Sequence, residues 1–303
     1  MRRAGLVGTI SAMNRRFLRV RRLVPARLRA RIRQILGPPP EIPQARLNGF
    51  LKAMGDRPRA FLPSGAPSSV AVVVPCFMHV AFLTDMFESL VAQTRQPDEV
   101  IFVDDCSPDA TYIVLKSLIA TQQAASGGRY QLLTNDRNIG QSASLNRGIS
   151  AASSELIMIL NDDDYLMHDA VESVLALFVQ YPGVALIGAH SIHFAGHEAL
   201  AAAPKQSTDY APAGLPLVVH QPEDVARYRF YNDLNMTHSG SCFLKDAWQA
   251  AGGYRADKSQ RIVPFSDRDF QLRVNALWPV AVADRTPFSF WRNDSSVDSS
   301  RNS

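Results

Sequence analysis

The sequence predicts an α/β fold: a mostly parallel central sheet flanked by helices, preceded by a basic helical arm. Three observations predict it. Apolar runs of four to seven residues recur, such as Val70-Ala71-Val72-Val73-Val74 and Leu156-Ile157-Met158-Ile159-Leu160. Runs without polar alternation are the mark of strands buried on both faces, as in parallel sheets. Helical patterns separate the runs, which is the rhythm of βαβ units. Two of the runs end in acidic clusters, Asp104-Asp105 and Asn161-Asp162-Asp163-Asp164. In open α/β sheets ligands bind beyond the carboxyl ends of the strands, so both clusters should face one crevice.

In chain order, residues 1–40 hold eleven arginines and no acidic residue, although the net charge of the 303 residues is only +4. The rest of the chain is therefore net acidic and is no nucleic-acid binder. From Pro25, Leu28, Ile32, Ile35 and Leu36 recur at helical spacing among Arg27, Arg29, Arg31 and Arg33, and Gly37 with Pro38-Pro39-Pro40 stops the helix. A basic amphipathic helix of this kind lies on an anionic membrane, docks on its own domain or stays solvated. Residues 41–68 read as a linker with one short helix from Ala45 to Met54.

Strands are expected at 70–75, 99–104, 130–134, 156–160 and 184–189, with helices at 80–93, 109–124, 141–152 and 168–180. Residues 69–190 should form a half that holds a nucleotide and 191–303 a half that takes a partner substrate. After residue 190 the rhythm changes. Residues 194–235 read as loop-rich, then a strand over 240–244, a helix over 245–251, a Gly252-Gly253 turn and a helix over 266–277 follow. No stretch reaches the roughly 18–20 apolar residues of a membrane span, and the arginines after Met13 spoil a secretory signal. Cys76, Cys106 and Cys242 are too few for a disulfide framework. The location expected is cytoplasmic, with peripheral contact at the inner membrane face left open.

Three adjacent carboxylates at a strand end repel one another unless a cation sits among them, and hard oxygen ligands suit Mg²⁺ or Mn²⁺. His238, before the second-half strand, is open to two readings: it touches a substrate or it is a structural histidine. Trp291 either stacks on a sugar or packs, and Arg292 either meets a diphosphate or forms a structural ion pair.

The motifs resemble those of the family 2 glycosyltransferases, which have the GT-A fold. Val74-Pro75-Cys76-Phe77-Met78 is similar to their first strand leading into Pro-x-Tyr-Asn. Val103-Asp104-Asp105-Cys106-Ser107-Pro108-Asp109-Ala110-Thr111 resembles Val-Asp-Asp-Gly-Ser-x-Asp-x-Thr. Asn138-Ile139-Gly140 through Asn146-Arg147-Gly148 resembles Asn-x-Gly…Asn-x-Gly, and Leu160 to Leu166 resembles Leu-Asp-x-Asp-Asp-x-Leu. Gly252-Gly253-Tyr254 and Ser266 to Arg273 match the acceptor-side motifs.

The resemblance implies an inverting, metal-assisted transfer of a sugar from a nucleoside-diphosphate sugar to a saccharide or lipid-linked acceptor, in cell-surface polysaccharide or glycolipid synthesis. It implies Mg²⁺ or Mn²⁺ as cofactor, with Asp163 and Asp294 as metal ligands and Asp267 as general base. Sugar-donor contacts would come from Pro75 and Phe77 at the base pocket, Asp105 accepting from the nucleobase with Asp104 nearby, and Gly140, Asn146 and Asp162. Departures are Asn161 for the first Asp of the metal motif, Ser266 for a Glu, Leu145 for an Arg, and Asp294 where a His is frequent. The alternatives are a non-catalytic sugar-nucleotide-binding protein, or a nucleotidyltransferase of related fold, whose Gly-rich loop is absent here.

The arm makes a prediction of its own. At about 1 kcal/mol per basic residue near an anionic surface, the full chain should co-sediment with anionic vesicles at low salt. A truncated chain starting near Ala45 should not. Failure of the full chain to co-sediment removes the membrane reading.

Overall fold

The computed structural model describes residues 40–54, 65–207, 217–283 and 286–293. The basic arm and its expected helix fall outside the described residues. The chain divides into Met1–Glu41 and Ile42–Ser303, and the described strands and helices all belong to the second unit.

The frame of that unit is an eight-stranded sheet. Strands β1 (Val70–Cys76), β2 (Glu99–Asp104), β3 (Tyr130–Thr134) and β4 (Leu156–Ile159) pair in parallel in the order β3-β2-β1-β4. Every residue of β1, β2 and β4 is buried, which is why these segments are apolar apart from Glu99 and Asp104 at the two ends of β2. The helices between them are α2 (Leu83–Val91), α3 (Thr111–Ser126) and α4 (Gln141–Ala151). Gly127, at φ 66°, ends α3 in the left-handed conformation that suits glycine.

The register matches Cys76 with Asp104 and Val73 with Ile159. The ends of β2 and β4 therefore flank the end of β1, and both acidic clusters meet one crevice.

Helix α4 lies close on β1 and β2. A Cβ on Gly148 would stand 2.6 Å from Val73 Cγ1 and 2.9 Å from Val103 Cγ2, so only glycine fits. This close approach outweighs the weak helix propensity of glycine, about 1 kcal/mol against alanine.

The second half completes the same sheet. It adds β8 (Leu217–His220), β9 (Cys242–Leu244) and β10 (Val280–Ala283) around β6 (Leu186–Ala189), the last strand of the first half, in the order β4-β9-β6-β10-β8. Strand β9 runs antiparallel to both β4 and β6. Its reversed direction places its start, residues 238–241, at the same edge as the end of β4. Since β9 lies between strands of the first half, residue 190 marks no break in the sheet.

A small sheet, β5 (Tyr165–Leu166), β11 (Ser289–Arg292) and β7 (Ile192–Phe194), covers the end of β4. Helices α5 (Ala170–Gln180), α6 (Gly196–Ala202), α7 (Lys245–Ala250) and α8 (Ser266–Asn275) complete the body.

Two expectations change. Within the expected linker, α1 (Gln44–Met54) packs into the body. Leu47 is fully buried, Ile42 N–H donates to Arg229 O at 2.8 Å, and Arg46 Nη1 donates to Arg261 O at 3.0 Å. The loop-rich stretch 194–235 holds α6, β8 and 3₁₀ turns at Pro222–Arg227 and Tyr231–Asp233. These elements are short, and β8 draws its regularity from antiparallel pairing with β10, 60 residues away in sequence. Among the described residues no helix is long and apolar enough to cross a membrane.

Candidate active site

The tips of β1 and β2 are held in an unusual backbone shape. Met78 and Cys106 adopt φ of 60° and 58°, the left-handed region that disfavours residues with a Cβ. At these two positions the family 2 motifs carry Asn and Gly, the residues that enter this region most easily. The conformation survives here with Met and Cys, at a cost of about 1–2 kcal/mol each. Strain of this kind concentrates at functional sites.

Asp105, expected to accept from a nucleobase, is held by its own protein. Its Oδ1 accepts from Asn135 Nδ2 at 2.7 Å and from Ile139 N–H at 2.8 Å, and its Oδ2 accepts from Gly140 N–H at 2.8 Å. With three protein donors, the carboxylate latches the loop that opens α4. The Gly140 N–H is thereby engaged and does not face a ligand. Gly140 itself, at φ 86°, supplies the turn.

Asp104, also buried, accepts from Ser107 N–H at 3.3 Å. Burial pushes its carboxyl up, the Ser107 hydrogen bonds oppose this, and Asp109 and Asp105 add to the rise. Of the two, Asp104 keeps more acceptor capacity toward the crevice. Pro75 is buried in β1 opposite Val103, and Phe77 is half-buried just beyond it.

Beyond β4 the four residues Asn161 to Asp164 turn, with Asp164 N–H donating to Asn161 O at 3.1 Å. Their side chains divide the work. Asp164 accepts from Ser239 Oγ, from Asn161 Nδ2 at 3.2 Å and from Arg292 N–H at 3.1 Å. Burial, then the neighbouring Asp163, pushes its carboxyl well above the usual range.

Asp162, expected to contact the sugar donor, accepts from Phe77 N–H at 2.9 Å and pairs with His79 Nδ1 at 2.8 Å. It ties the acidic turn to the β1 tip. Burial raises its carboxyl, His79 opposes the rise and Asp163 adds to it. Asn161 also accepts from Gln141 Nε2 at 3.1 Å. An Asp at position 161 would bring a fourth charge and no donor for Asp164, so the substitution suits this turn.

Asp163 is different. It is 6% exposed, and among the described residues none donates a hydrogen bond to its carboxylate. One ligand atom each from His79, Asp162 and Asp163 lies within 4.8 Å of the others. A buried carboxylate without hydrogen-bond donors, beside a second carboxylate and an imidazole, fits a divalent cation. His79 was missed in the sequence. Its only signal there is its place, in the loop directly after the first strand.

Asp294 lies outside the described residues. Arg292, buried, donates from Nε to Asp163 O at 3.0 Å and from Nη2 to Asp85 Oδ2 at 3.0 Å. Its guanidinium lies over the rings of Phe82 and Phe194 at 4.3 and 4.6 Å. It makes the structural ion pair.

Across the crevice, Asp267 sits half-buried in the first turn of α8. Its charge acts on His238, Tyr254 and Arg268. Among the described residues no hydrogen bond is donated to its carboxylate. Asp269 is fully buried and accepts from Ile262 N–H at 2.7 Å and Arg273 Nε at 2.9 Å, so it is a strut.

Asn146, expected to contact the sugar donor, is tied into the protein. Its Nδ2 donates to Tyr254 O at 2.7 Å, while its Oδ1 accepts from Tyr254 N–H at 2.8 Å and Trp248 Nε1 at 3.1 Å. It clamps the Gly253-Tyr254 turn onto α4. Leu145, fully buried on the same helix, does not reach the crevice.

Residues 71–213 match the family model described as glycosyl transferase family 2. The chain is 30% identical over 118 residues to an uncharacterized glycosyltransferase of Haemophilus influenzae, covering 39% of this chain and 37% of that protein. It is 34% identical over 106 residues to the succinoglycan biosynthesis protein ExoO of Rhizobium meliloti, covering 35% of this chain and 28% of that protein. The aligned segments thus span roughly a third of those curated relatives.

Among solved structures, Staphylococcus aureus TarS 1–349 in complex with UDP superposes with a TM-score of 0.55 at 15% identity, over 74% of this chain and 60% of that one. A mannosyltransferase of Pyrobaculum calidifontis, PcManGT, in complex with GDP-Man and Mn²⁺, gives 0.54 at 16% identity, over 82% and 64%. At such identities the likeness shows the fold, which is GT-A.

Cys106→Gly tests the strained tip. Relief of the left-handed penalty, about 1–2 kcal/mol, exceeds the extra unfolded-state entropy of glycine, about 0.5–1 kcal/mol. The variant should be more stable by about 1 kcal/mol in urea unfolding. A lower midpoint would show that the thiol's contact with Asp136 O, at 3.8 Å, outweighs the strain.

Proposed function

We propose that this chain, whose residues 71–213 match glycosyl transferase family 2, moves a sugar from a nucleoside-diphosphate sugar to an acceptor hydroxyl with inversion, assisted by a divalent cation, in cell-surface polysaccharide or glycolipid synthesis. The observation that carries this reading is the Asp163 carboxylate, buried and, among the described residues, without a hydrogen-bond donor where two acidic strand tips meet. TarS with UDP and PcManGT with GDP-Man and Mn²⁺, proteins of the same fold, support a sugar nucleotide as donor. ExoO, a succinoglycan biosynthesis protein, supports the polysaccharide setting.

The geometry supports the following roles. Phe77 and Asp104 border the place for the base. Asp163, with Asp162 and His79 beside it, would hold Mg²⁺ or Mn²⁺. Such a cation, when bound, neutralises the charge developing on the departing nucleoside diphosphate.

Asp267 takes the proton from the acceptor hydroxyl as that oxygen attacks the anomeric carbon. Its place in the first turn of α8 keeps it near the positive end of the helix dipole, which favours the ionised form. The other carboxylate of that turn, Asp269, is bound to Arg273 and serves as neither base nor nucleophile. One base without a partner nucleophile suits a single displacement, and so inversion, by analogy with glycoside hydrolysis.

Calorimetry tests the donor side. UDP, GDP or dTDP should bind in Mn²⁺ and bind far more weakly in EDTA, and Asp163→Ala should abolish the difference. Equal affinities for the unaltered chain in the two media would refute the cation's role.

Asp267→Asn tests the base. It keeps shape and capping capacity, so the variant should fold and bind nucleotide normally. Transfer should slow by at least about 100-fold, within the 10²–10⁴-fold range of a lost general base. Near-normal transfer would place the base elsewhere.

A further inference from the structure

His238 has no part in the transfer roles of Asp163 and Asp267, yet the structure fixes it with unusual care. Its neighbours pin its backbone from both sides. Thr237 N–H donates to Ala189 O at 2.8 Å, and Ser239 Oγ donates to Asp164. Its own carbonyl accepts from Ser241 N–H at 3.1 Å and Ser241 Oγ at 2.6 Å. The ring is fixed by Tyr254, whose hydroxyl lies 3.1 Å from His238 Nε2.

Tyr254 is immobile in turn. It is 3% exposed, its backbone is clamped by Asn146, and its ring stacks on Phe270 at 4.4 Å. Phe270 stands three residues after Asp267 on α8, so the two share a helix face. Asp267, Tyr254 and His238 therefore converge on one wall of the crevice, in keeping with the action of the Asp267 charge on both rings.

The hydrogen-bond direction fixes the tautomer. Burial pushes the Tyr254 phenol well above its usual range, so it keeps its proton. Burial also holds the His238 imidazole below its ordinary value, against the pull of Asp267, so the ring is neutral at pH 7. Among the described residues, His238 Nε2 is the one acceptor for the buried hydroxyl. The phenol donates, Nε2 accepts, and the single imidazole proton sits on Nδ1. His238 is half-buried, and none of the described residues accepts from its Nδ1–H.

We propose that His238 is an acceptor-binding residue whose Nδ1–H donates to the hydroxyl oxygen adjacent to the attacking one, so that the site takes an acceptor with vicinal hydroxyls, a pyranoside. Asp267, a bare acceptor of hydrogen bonds, receives the attacking O–H. His238, a fixed donor on the same wall, binds the neighbouring oxygen. Two groups of opposite polarity suit a diol and leave one of them unsatisfied against an isolated alcohol, a mismatch that discriminates strongly between substrates. The inference rests on the transferase reading of the site.

Nuclear magnetic resonance of ¹⁵N-histidine-labelled protein, with UDP and Mn²⁺ present, tests it. The probes are methyl β-D-glucopyranoside, methyl β-D-galactopyranoside, methyl α-D-mannopyranoside and their monodeoxy counterparts. The expected spectrum shows His238 as the Nδ1–H tautomer, with Tyr254→Phe erasing that preference. At least one glycoside should shift the Nδ1 resonance, and removal of one vicinal hydroxyl from it should abolish the shift. With that glycoside as acceptor, His238→Gln should raise its KM by at least about tenfold, the equivalent of ~1.4 kcal/mol, with a smaller change in kcat. Asp267→Asn should do the reverse.

An Nε2–H tautomer, or UDP binding with no glycoside moving His238, overturns the inference and leaves the transferase reading intact. Absence of binding by UDP, GDP and dTDP alike overturns that reading instead.

Discussion

The arrangement of the site depends on one buried carboxylate, Asp164. It accepts from the turn before β9 through Ser239, from its own turn through Asn161, and from β11 through the backbone of Arg292. Three segments distant in sequence are thereby brought to one point. A carboxyl group taken out of water is costly unless it is well supplied with hydrogen-bond partners, and here three donors are supplied. The energetic stake makes the geometry around it specific. Asp163 is left facing the crevice because Asp164 on one side and Asp162 on the other are each tied back into the protein. Of three consecutive acids, two are structural, and their fixity exposes the third.

Much of the fold was legible in the sequence because its central strands are long enough to show a pattern. The runs at 70–75, 99–104, 130–134 and 156–160 became β1 to β4 with boundaries shifted by one residue at most. Strands β5 and β7 have only two and three residues, too few to show a period. Pairing to distant partners creates them. The motif positions led to the crevice, but residue type did not reveal each role. Asp105 and Asn146 look like ligand-binding groups by chemistry alone. Their partners are Asn135, Ile139 and Gly140 for the first, and Tyr254, 108 positions away, for the second. A side chain's free valence is a property of the fold, and no local spacing records it.

The departures from the family pattern also find physical reasons. Asn161 offers an amide donor that Asp164 uses, and Leu145 faces the core. Met78 and Cys106 retain the backbone shape of the Asn and Gly that the motif prefers, so the loop shape is imposed by its surroundings. Ser107 Oγ at 3.3 Å from Met78 N and the Asp105 latch behind Cys106 are among the contacts that impose it.

The reversed strand β9 bears on how such proteins can diversify. Because it is interleaved between β4 and β6, the two halves of the chain cannot be exchanged as blocks between relatives. A fragment ending near residue 190 would leave β4 and β6 with open edges, which invite aggregation. The segment around α6 and β8 is different. It joins the sheet only at its far margin, through β10. Recombination at that margin leaves the pairing of β9 untouched, so it is the place where new sequence can be grafted while the acidic crevice keeps its shape.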